Sequence, residues 1–413
     1  MGRMNAITSI DQYKPLLGSE MIERIKMKAN KLRGRHVVHV SSTYYGGGVA
    51  ELLSSLTLLM NDVGIKTGWR VLQGSADFFS VTKKIHNALQ GAPLRLTSRK
   101  KMIYEAVVFE NSVRNHLDHD IVIAHDPQVL PMIAHYKKRG PWIWCCHVDL
   151  TNPNKELWGY LKNFIERYDA VIMSMPEYRQ KLKIPQLIFR PAIDPFSTKN
   201  RPLSQKEISE RLRHYHIPED LPLVVQISRF DRWKDPEGVI RTFKMVLKNI
   251  KARLVLLGEV ALDDPEGIAV YKSLLNYQTD HIMITSHQDT ALVNALQRQA
   301  TVIVQKSLRE GFGLTVTEAM WKKKAVVGGK VGGIRSQIRT GSNGFLVSSE
   351  NEAARRISEL LRNPGLRSRM GVEARKAVQV NYLLPRLLEQ YLDLLNSFET
   401  VHLLKKKTSV GHG

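Results

Sequence analysis

Cysteine is nearly absent from this chain. Its 413 residues hold two, Cys145 and Cys146, and they are adjacent. Neighbouring residues enclose almost no loop, so a structural disulfide between them is not expected. That usage points to a reduced, cytoplasmic protein. Long apolar runs are missing too. No stretch approaches the ~18 residues of a membrane span, so no membrane partner is expected. The opening MGRMNAITSIDQYK lacks the apolar core of a signal peptide. There is no Gly-Lys-Ser/Thr of a P-loop and no G-x-G-x-x-G. Neither H-E-x-x-H nor a paired C-x-x-C occurs, so no metal site is expected. Acidic residues are in deficit, 39 Asp and Glu against 61 Lys and Arg, a formal charge of +22. That balance suits an anionic partner. The cations are spread along the chain, with the densest runs at Lys322–Lys324 and Lys405–Lys407, and no nucleic-acid module is visible. Nucleic acid is therefore not expected as a partner. A spread positive field also suits an enzyme whose substrate carries a diphosphate.

What is present is a repeated alternation of short apolar runs and helical segments. In the first half the runs are HVVHVSS, TGWRVLQG, DIVIAH, WIWCCHVD, AVIMS and QLIFRP. A break with three prolines follows, FRPAIDPFSTKNRP from Phe189 to Pro202, and reads as a domain linker. The second half restarts with PLVVQISRF, RLVLLGE, HIMIT, TVIVQKS, KAVVGG and GFLVS. This alternation predicts α/β architecture with two doubly wound parallel sheets. The expected domains are 1–194, joined by a returning helix over 381–400, and 195–380. Residues 401–413 read as a polar, disordered tail.

The chemistry concentrates at strand ends, where ligands of open α/β sheets bind. SLREGFGLTVTEAMW, from Ser307 to Trp321, places Glu310 and Glu318 eight positions apart around Gly311, Phe312 and Gly313. It reads as strand, glycine loop, helix, a layout that turns backbone N–H groups toward an anion. Thr315 and Glu318 also have the T-x-x-E spacing of a helix-starting capping box. Arg229 and Lys234, just past another strand, can converge on a diphosphate. Gly46, Gly47 and Gly48 follow the first strand and permit close backbone approach. Asp126 and Gln128 follow DIVIAH, and His147 and Asp149 follow WIWCC.

Glu-x7-Glu around Gly-Phe-Gly resembles the signature of glycosyltransferase family four, retaining nucleotide-sugar enzymes with two facing Rossmann-like domains. That resemblance implies the GT-B fold, with a cleft between the domains and a C-terminal helix crossing back. It also implies roles. Glu310 lies beside the transferred sugar with Gly311, Phe312 and Gly313. Glu318 holds the ribose, and Arg229 and Lys234 bind the diphosphate with Leu314, Thr315 and Gly46–Gly48. His147 contacts the sugar. GGGVAELL, HDPQ, CHVDLTNPN, SRFDRWK, DDPEG and REGFGLTVTEAMWKKK together are similar to the trehalose synthases of that family. This implies NDP-glucose (UDP or ADP) and glucose as substrates and trehalose as product, made reversibly. Asp126, Gln128, Asp149 and Trp144 then become acceptor candidates, Trp144 as an aromatic face for a ring.

Three departures stand out against the family pattern. Lys323 and Ala325 replace a Gly and a Pro, and Asp235 replaces a Gly found in some relatives. No cofactor is expected, since the nucleotide-sugar is a substrate; a divalent cation could stimulate without a protein site. A homodimer is compatible with the resemblance. Open alternatives are another acceptor (sucrose or glucan type), a phosphorylase, and a basic RNA-binding protein.

Overall fold

A computed structural model describes residues 9–259 and 265–410. The first eight residues and the start of the acidic loop, 262–264, lie outside the described part. The chain divides into two compact units. One gathers residues up to 45, 49–192 and those from 383 on; the other gathers 46–48 and 193–382. One crossing, at 192–193, falls inside the proline-rich stretch read as a linker.

The first unit carries β1 (His36–Ser41), β2 (Lys66–Val71), β3 (Ile121–His125), β4 (Trp142–Cys146), β5 (Ala170–Met173) and β6 (Gln186–Ile188). They form one sheet in the order β2-β1-β3-β4-β5-β6, and every pairing is parallel. All five residues of β3 and of β4 are buried. A central parallel strand is covered on both faces, so it must be apolar throughout rather than alternate. That is why WIWCC and IVIA read as continuous apolar runs.

The second unit repeats the plan with β7 (Leu223–Arg229), β8 (Arg253–Glu259), β9 (Ile282–Ser286), β10 (Val302–Gln305), β11 (Val326–Gly329) and β12 (Gly344–Val347). The order is β12-β11-β10-β7-β8-β9, again all parallel. Counted from β7, that is the 3-2-1-4-5-6 order of dinucleotide-binding folds. The order reverses between β7 and β10, and in the first unit between β1 and β3. Loops leaving those strands diverge and open a crevice at each sheet's carboxyl edge.

The helix Leu384–Val410 belongs to the first unit and lies against the helix Ser19–Asn30. Glu389 joins them, accepting from Arg24 Nε at 2.5 Å and from Lys28 Nζ at 2.8 Å. The Arg24 guanidinium, helped by Lys28, holds the Glu389 carboxyl below its ordinary range although partial burial works the other way. One expectation needs correcting here. The segment from 401, read as a disordered tail, continues as helix to Val410. No Gly or Pro interrupts VHLLKKKTSV, so nothing local stops the helix before Gly411.

Candidate active site

In the second unit the site forms where β7 and β10 part. Arg229 ends β7 and is exposed. The chain then makes a single turn over Arg232–Lys234, capped by Asp231, whose side chain accepts from Trp233 N at 2.8 Å. Gln226, buried within β7, donates from Nε2 to the Lys234 carbonyl at 2.8 Å. This anchors the turn and aims Lys234. Its Nζ meets Glu310 Oε2 at 2.6 Å, with side-chain exposures of 18% and 9%. The Ser307 hydroxyl donates to the same carboxylate oxygen at 3.2 Å. Two side chains far apart in sequence are thus joined in a largely dry place, where a charged hydrogen bond counts for more than at a surface.

The loop Glu310–Gly313 is held from behind. Gln337 Nε2 donates to the Phe312 carbonyl at 2.7 Å and to the Gly313 carbonyl at 3.3 Å. A Cβ on Gly333 would lie 2.3 Å from Phe312 Cα, so only glycine lets that turn back the loop. Gly313 has φ +88° and starts the helix Leu314–Trp321 with no side-chain cap. The first N–H groups of that helix are therefore presented by backbone alone, at its positive end. The capping-box spacing of Thr315 and Glu318 is not used, because Thr315 already lies inside the helix. Glu318 is instead buried, 1% exposed, and pairs with Lys199 at 3.2 Å.

Asp235, read as a departure from the family pattern, has φ +50°. Its carboxylate caps the helix Pro236–Leu247 by accepting from Gly238 N at 3.1 Å and pairs with the buried Lys306. Lys306 thus takes up the negative charge placed next to Lys234. Lys322, read as part of a dense positive run, is 5% exposed and donates to Gln297 Oε1 at 2.6 Å and Asn200 Oδ1 at 2.9 Å. It is a core residue, not part of a surface patch.

After β1 the glycine loop opens the helix Gly47–Asp62. Gly46 and Gly47 both have positive φ, +74° and +78°, a pair of conformations that residues with a Cβ avoid. At the ends of β3 and β4, Asp126 Oδ1 accepts from His147 N at 2.8 Å. Gln128 is half-buried, and its Oε1 is buried without a partner among the described residues.

Two of the acceptor candidates lie buried. Trp144 is fully buried and donates its indole N–H to the Asp126 carbonyl at 3.0 Å. Central in the sheet, it has no face to offer a sugar. Asp149 is 2% exposed and accepts from Thr151 N at 2.9 Å and Oγ1 at 2.6 Å, closing its own turn.

The structure also assembles a group that sequence spacing does not disclose. His39 Nδ1 lies 2.9 Å from His125 Nε2, and His125 Nδ1 lies 3.0 Å from His147 Nε2. Cys145 Sγ is 3.4 Å from the same His147 nitrogen and receives the Tyr391 hydroxyl at 3.7 Å. The rings stack, at centroid distances of 5.2 and 5.3 Å. Parallel pairing of β1, β3 and β4 is what brings these distant positions together. Burial lowers His39 to about 3 and His125 well below the ordinary imidazole value. Burial works to lower His147, but its interactions with Cys145 and Asp126 outweigh it and hold His147 at about 9.

Comparison with known proteins matches this chain to two family models. Residues 39–180 match "Trehalose synthase, N-terminal domain", and residues 207–377 match "Glycosyl transferases group 1". The trehalose synthase of Pyrococcus horikoshii is 44% identical over 402 residues, covering 94% of this chain and 96% of that protein. The trehalose synthase of Rubrobacter xylanophilus is 38% identical with the same coverage. Among solved structures, the UDP-forming α,α-trehalose-phosphate synthase of Burkholderia xenovorans superposes with a TM-score of 0.71 at 15% identity, covering 88% of this chain and 99% of that one. At that identity the likeness concerns the fold, which is that of GT-B glycosyltransferases.

Proposed function

This chain belongs to the trehalose synthases, hexosyltransferases of the GT-B fold, and from that premise we propose that it moves glucose from a nucleoside diphosphate to the 1-hydroxyl of free glucose, with retention of the α configuration. The observation that carries this reading is the cluster at the β7–β10 divide. A Lys234–Glu310 pair, with Glu310 buried and Lys234 partly so, lies beside an uncapped helix start, with Arg229 at the strand end.

The departing nucleoside diphosphate gains charge as its bond to the sugar C1 breaks. Lys234, Arg229 and the N–H groups at Leu314 and Thr315 offset that charge without reorganising. Glu310 orients the sugar through its 3- and 4-hydroxyls, and Glu318 meets the ribose. His147 donates a hydrogen bond to the sugar. The acceptor hydroxyl attacks C1 on the face the phosphate leaves, and its proton passes to the departing phosphate oxygen. The same steps run backward from trehalose and the nucleoside diphosphate. Gln128, whose buried Oε1 has no partner among the described residues, is the acceptor contact this reading favours.

The test is product analysis after incubation with UDP-glucose or ADP-glucose and each acceptor in turn. A non-reducing disaccharide is expected with glucose, and little product with fructose, glucose 6-phosphate or glucans. Rapid sucrose or glucan formation without trehalose overturns the acceptor assignment.

A further inference from the structure

In the first unit, three nitrogen and sulfur donor atoms converge with one connection short. His147 Nε2 lies within reach of both His125 Nδ1 (3.0 Å) and Cys145 Sγ (3.4 Å). An imidazole nitrogen carries one lone pair or one proton, never both. It can therefore serve only one of these neighbours well. The three ligand atoms all fall within 4.8 Å of one another. A tetrahedral zinc-class ion, with bonds of about 2.0–2.1 Å to nitrogen and 2.3 Å to sulfur, needs its ligands roughly 3.3–3.6 Å apart. The two distances from His147 Nε2 already lie near that spacing, and His125 Nδ1 and Cys145 Sγ lie within 4.8 Å of each other.

We propose that His125 Nδ1, Cys145 Sγ and His147 Nε2 form a binding site for a soft divalent transition-metal ion of the zinc class.

The donor set is two imidazole nitrogens and one thiolate sulfur. It suits zinc, cobalt or copper rather than magnesium or calcium, which take oxygen. The surroundings are those such a site requires. His39 Nδ1 engages the second nitrogen of His125 and fixes its ring. Tyr391 donates its hydroxyl to Cys145 Sγ, as outer partners of metal thiolates do. His125 and Cys145 are 1% and 3% exposed, which holds both rigidly. A small cavity lined by Cys145, Cys146, His147, Met173, Phe189 and Tyr391 adjoins the cluster. Binding displaces protons from the thiol and the imidazoles and involves no redox change. A bound ion occupies His147 Nε2 and withdraws it as a hydrogen-bonding group. If His147 contacts the transferred sugar, as proposed above, the ion is an inhibitor.

The test uses cobalt as a spectroscopic probe on the full chain after chelator treatment. One equivalent of cobalt(II) is expected to produce a near-ultraviolet thiolate-to-cobalt band and the visible bands of a tetrahedral ion. Cys145→Ser abolishes the thiolate band, whereas Cys146→Ser keeps it. His125→Gln weakens cobalt binding about tenfold or more. Absence of the band in the unmutated protein overturns the site whatever the variants do, and so does its survival in Cys145→Ser. Glucosyl transfer measured in parallel separates the two readings. A cobalt site that forms without slowing transfer stands, and it is the sugar contact of His147 that falls.

Discussion

Lys234 Nζ and Glu310 Oε2 are 2.6 Å apart, a pair built from two loops of one sheet edge. Neither charge is solvated well enough to be indifferent to losing the other. Lys234→Ala is expected to weaken nucleoside diphosphate binding by about 1.5–3 kcal/mol, as for a charged hydrogen bond. Glu310→Gln keeps the shape and removes the charge, and should lower kcat about 100-fold, close to 2.7 kcal/mol. Because the residues touch, their effects on kcat/KM should not add; a double-mutant cycle on that one quantity should give a coupling of roughly 0.5–3 kcal/mol. Additive losses would mean that the pair does not act as a unit.

Glu318 and Lys199 make a second buried pair, at 3.2 Å. If Glu318 meets the ribose, Glu318→Gln lowers affinity for a nucleoside diphosphate and leaves inorganic diphosphate unchanged. Calorimetric titration with both ligands reads this directly. Equal loss for both would place Glu318 in a supporting role, acting through the helix Leu314–Trp321 that carries it.

Asp235 and Lys323, two of the departures from the family pattern, both have positive φ, +50° and +60°. The left-handed region costs a residue with a Cβ roughly 1–2 kcal/mol. Lys323 is exposed, so its side chain gains little from burial to offset that cost. Lys323→Gly is expected to stabilise by about 0.5–1 kcal/mol, after subtracting the entropy glycine adds to the unfolded chain. Asp235→Gly relieves the same strain but removes a helix cap and leaves Lys306 buried without its carboxylate. Breaking such a pair costs about 3–5 kcal/mol, so a net loss of about 2–4 kcal/mol is expected. Urea unfolding of the two variants should move in opposite directions.

Much of this is legible in the sequence. The strands of both sheets stand in the chain as apolar runs, because central parallel strands are buried on both faces and cannot alternate. Glu310, Lys234 and Gly313 are legible because a strand, glycine loop and helix follow one another locally. What depends on neighbouring strands is not. His39, His125 and Cys145 come together only through the lateral pairing of β1, β3 and β4, which no local spacing encodes. Trp144 reads as available to a sugar because it stands near a strand end, yet the sheet closes over it. Lys322 reads as surface charge because its partners, Asn200 and Gln297, are distant in sequence.

Lys324, beside that cluster of cations, supplies a pH test. Burial, reinforced by the nearby charges of Arg298 and Arg367, lowers its ammonium from 10.5 to about 8. The folded state therefore releases this proton more readily than the unfolded chain. Below about pH 8 both states hold it, and the folded state bears the full cost of a buried charge. Between about 8 and 10.5 the unfolded chain binds more protons, so stability climbs with pH; above that window the contribution is flat. The whole climb is about 3 kcal/mol. Lys324→Met removes the charge and keeps most of the volume. It should be more stable than the unmutated protein near neutral pH, and the advantage should shrink toward about pH 10. Chemical denaturation at a series of pH values measures both. A difference that stays constant with pH would mean that Lys324 keeps an ordinary pKa, and that its surroundings solvate it as water would.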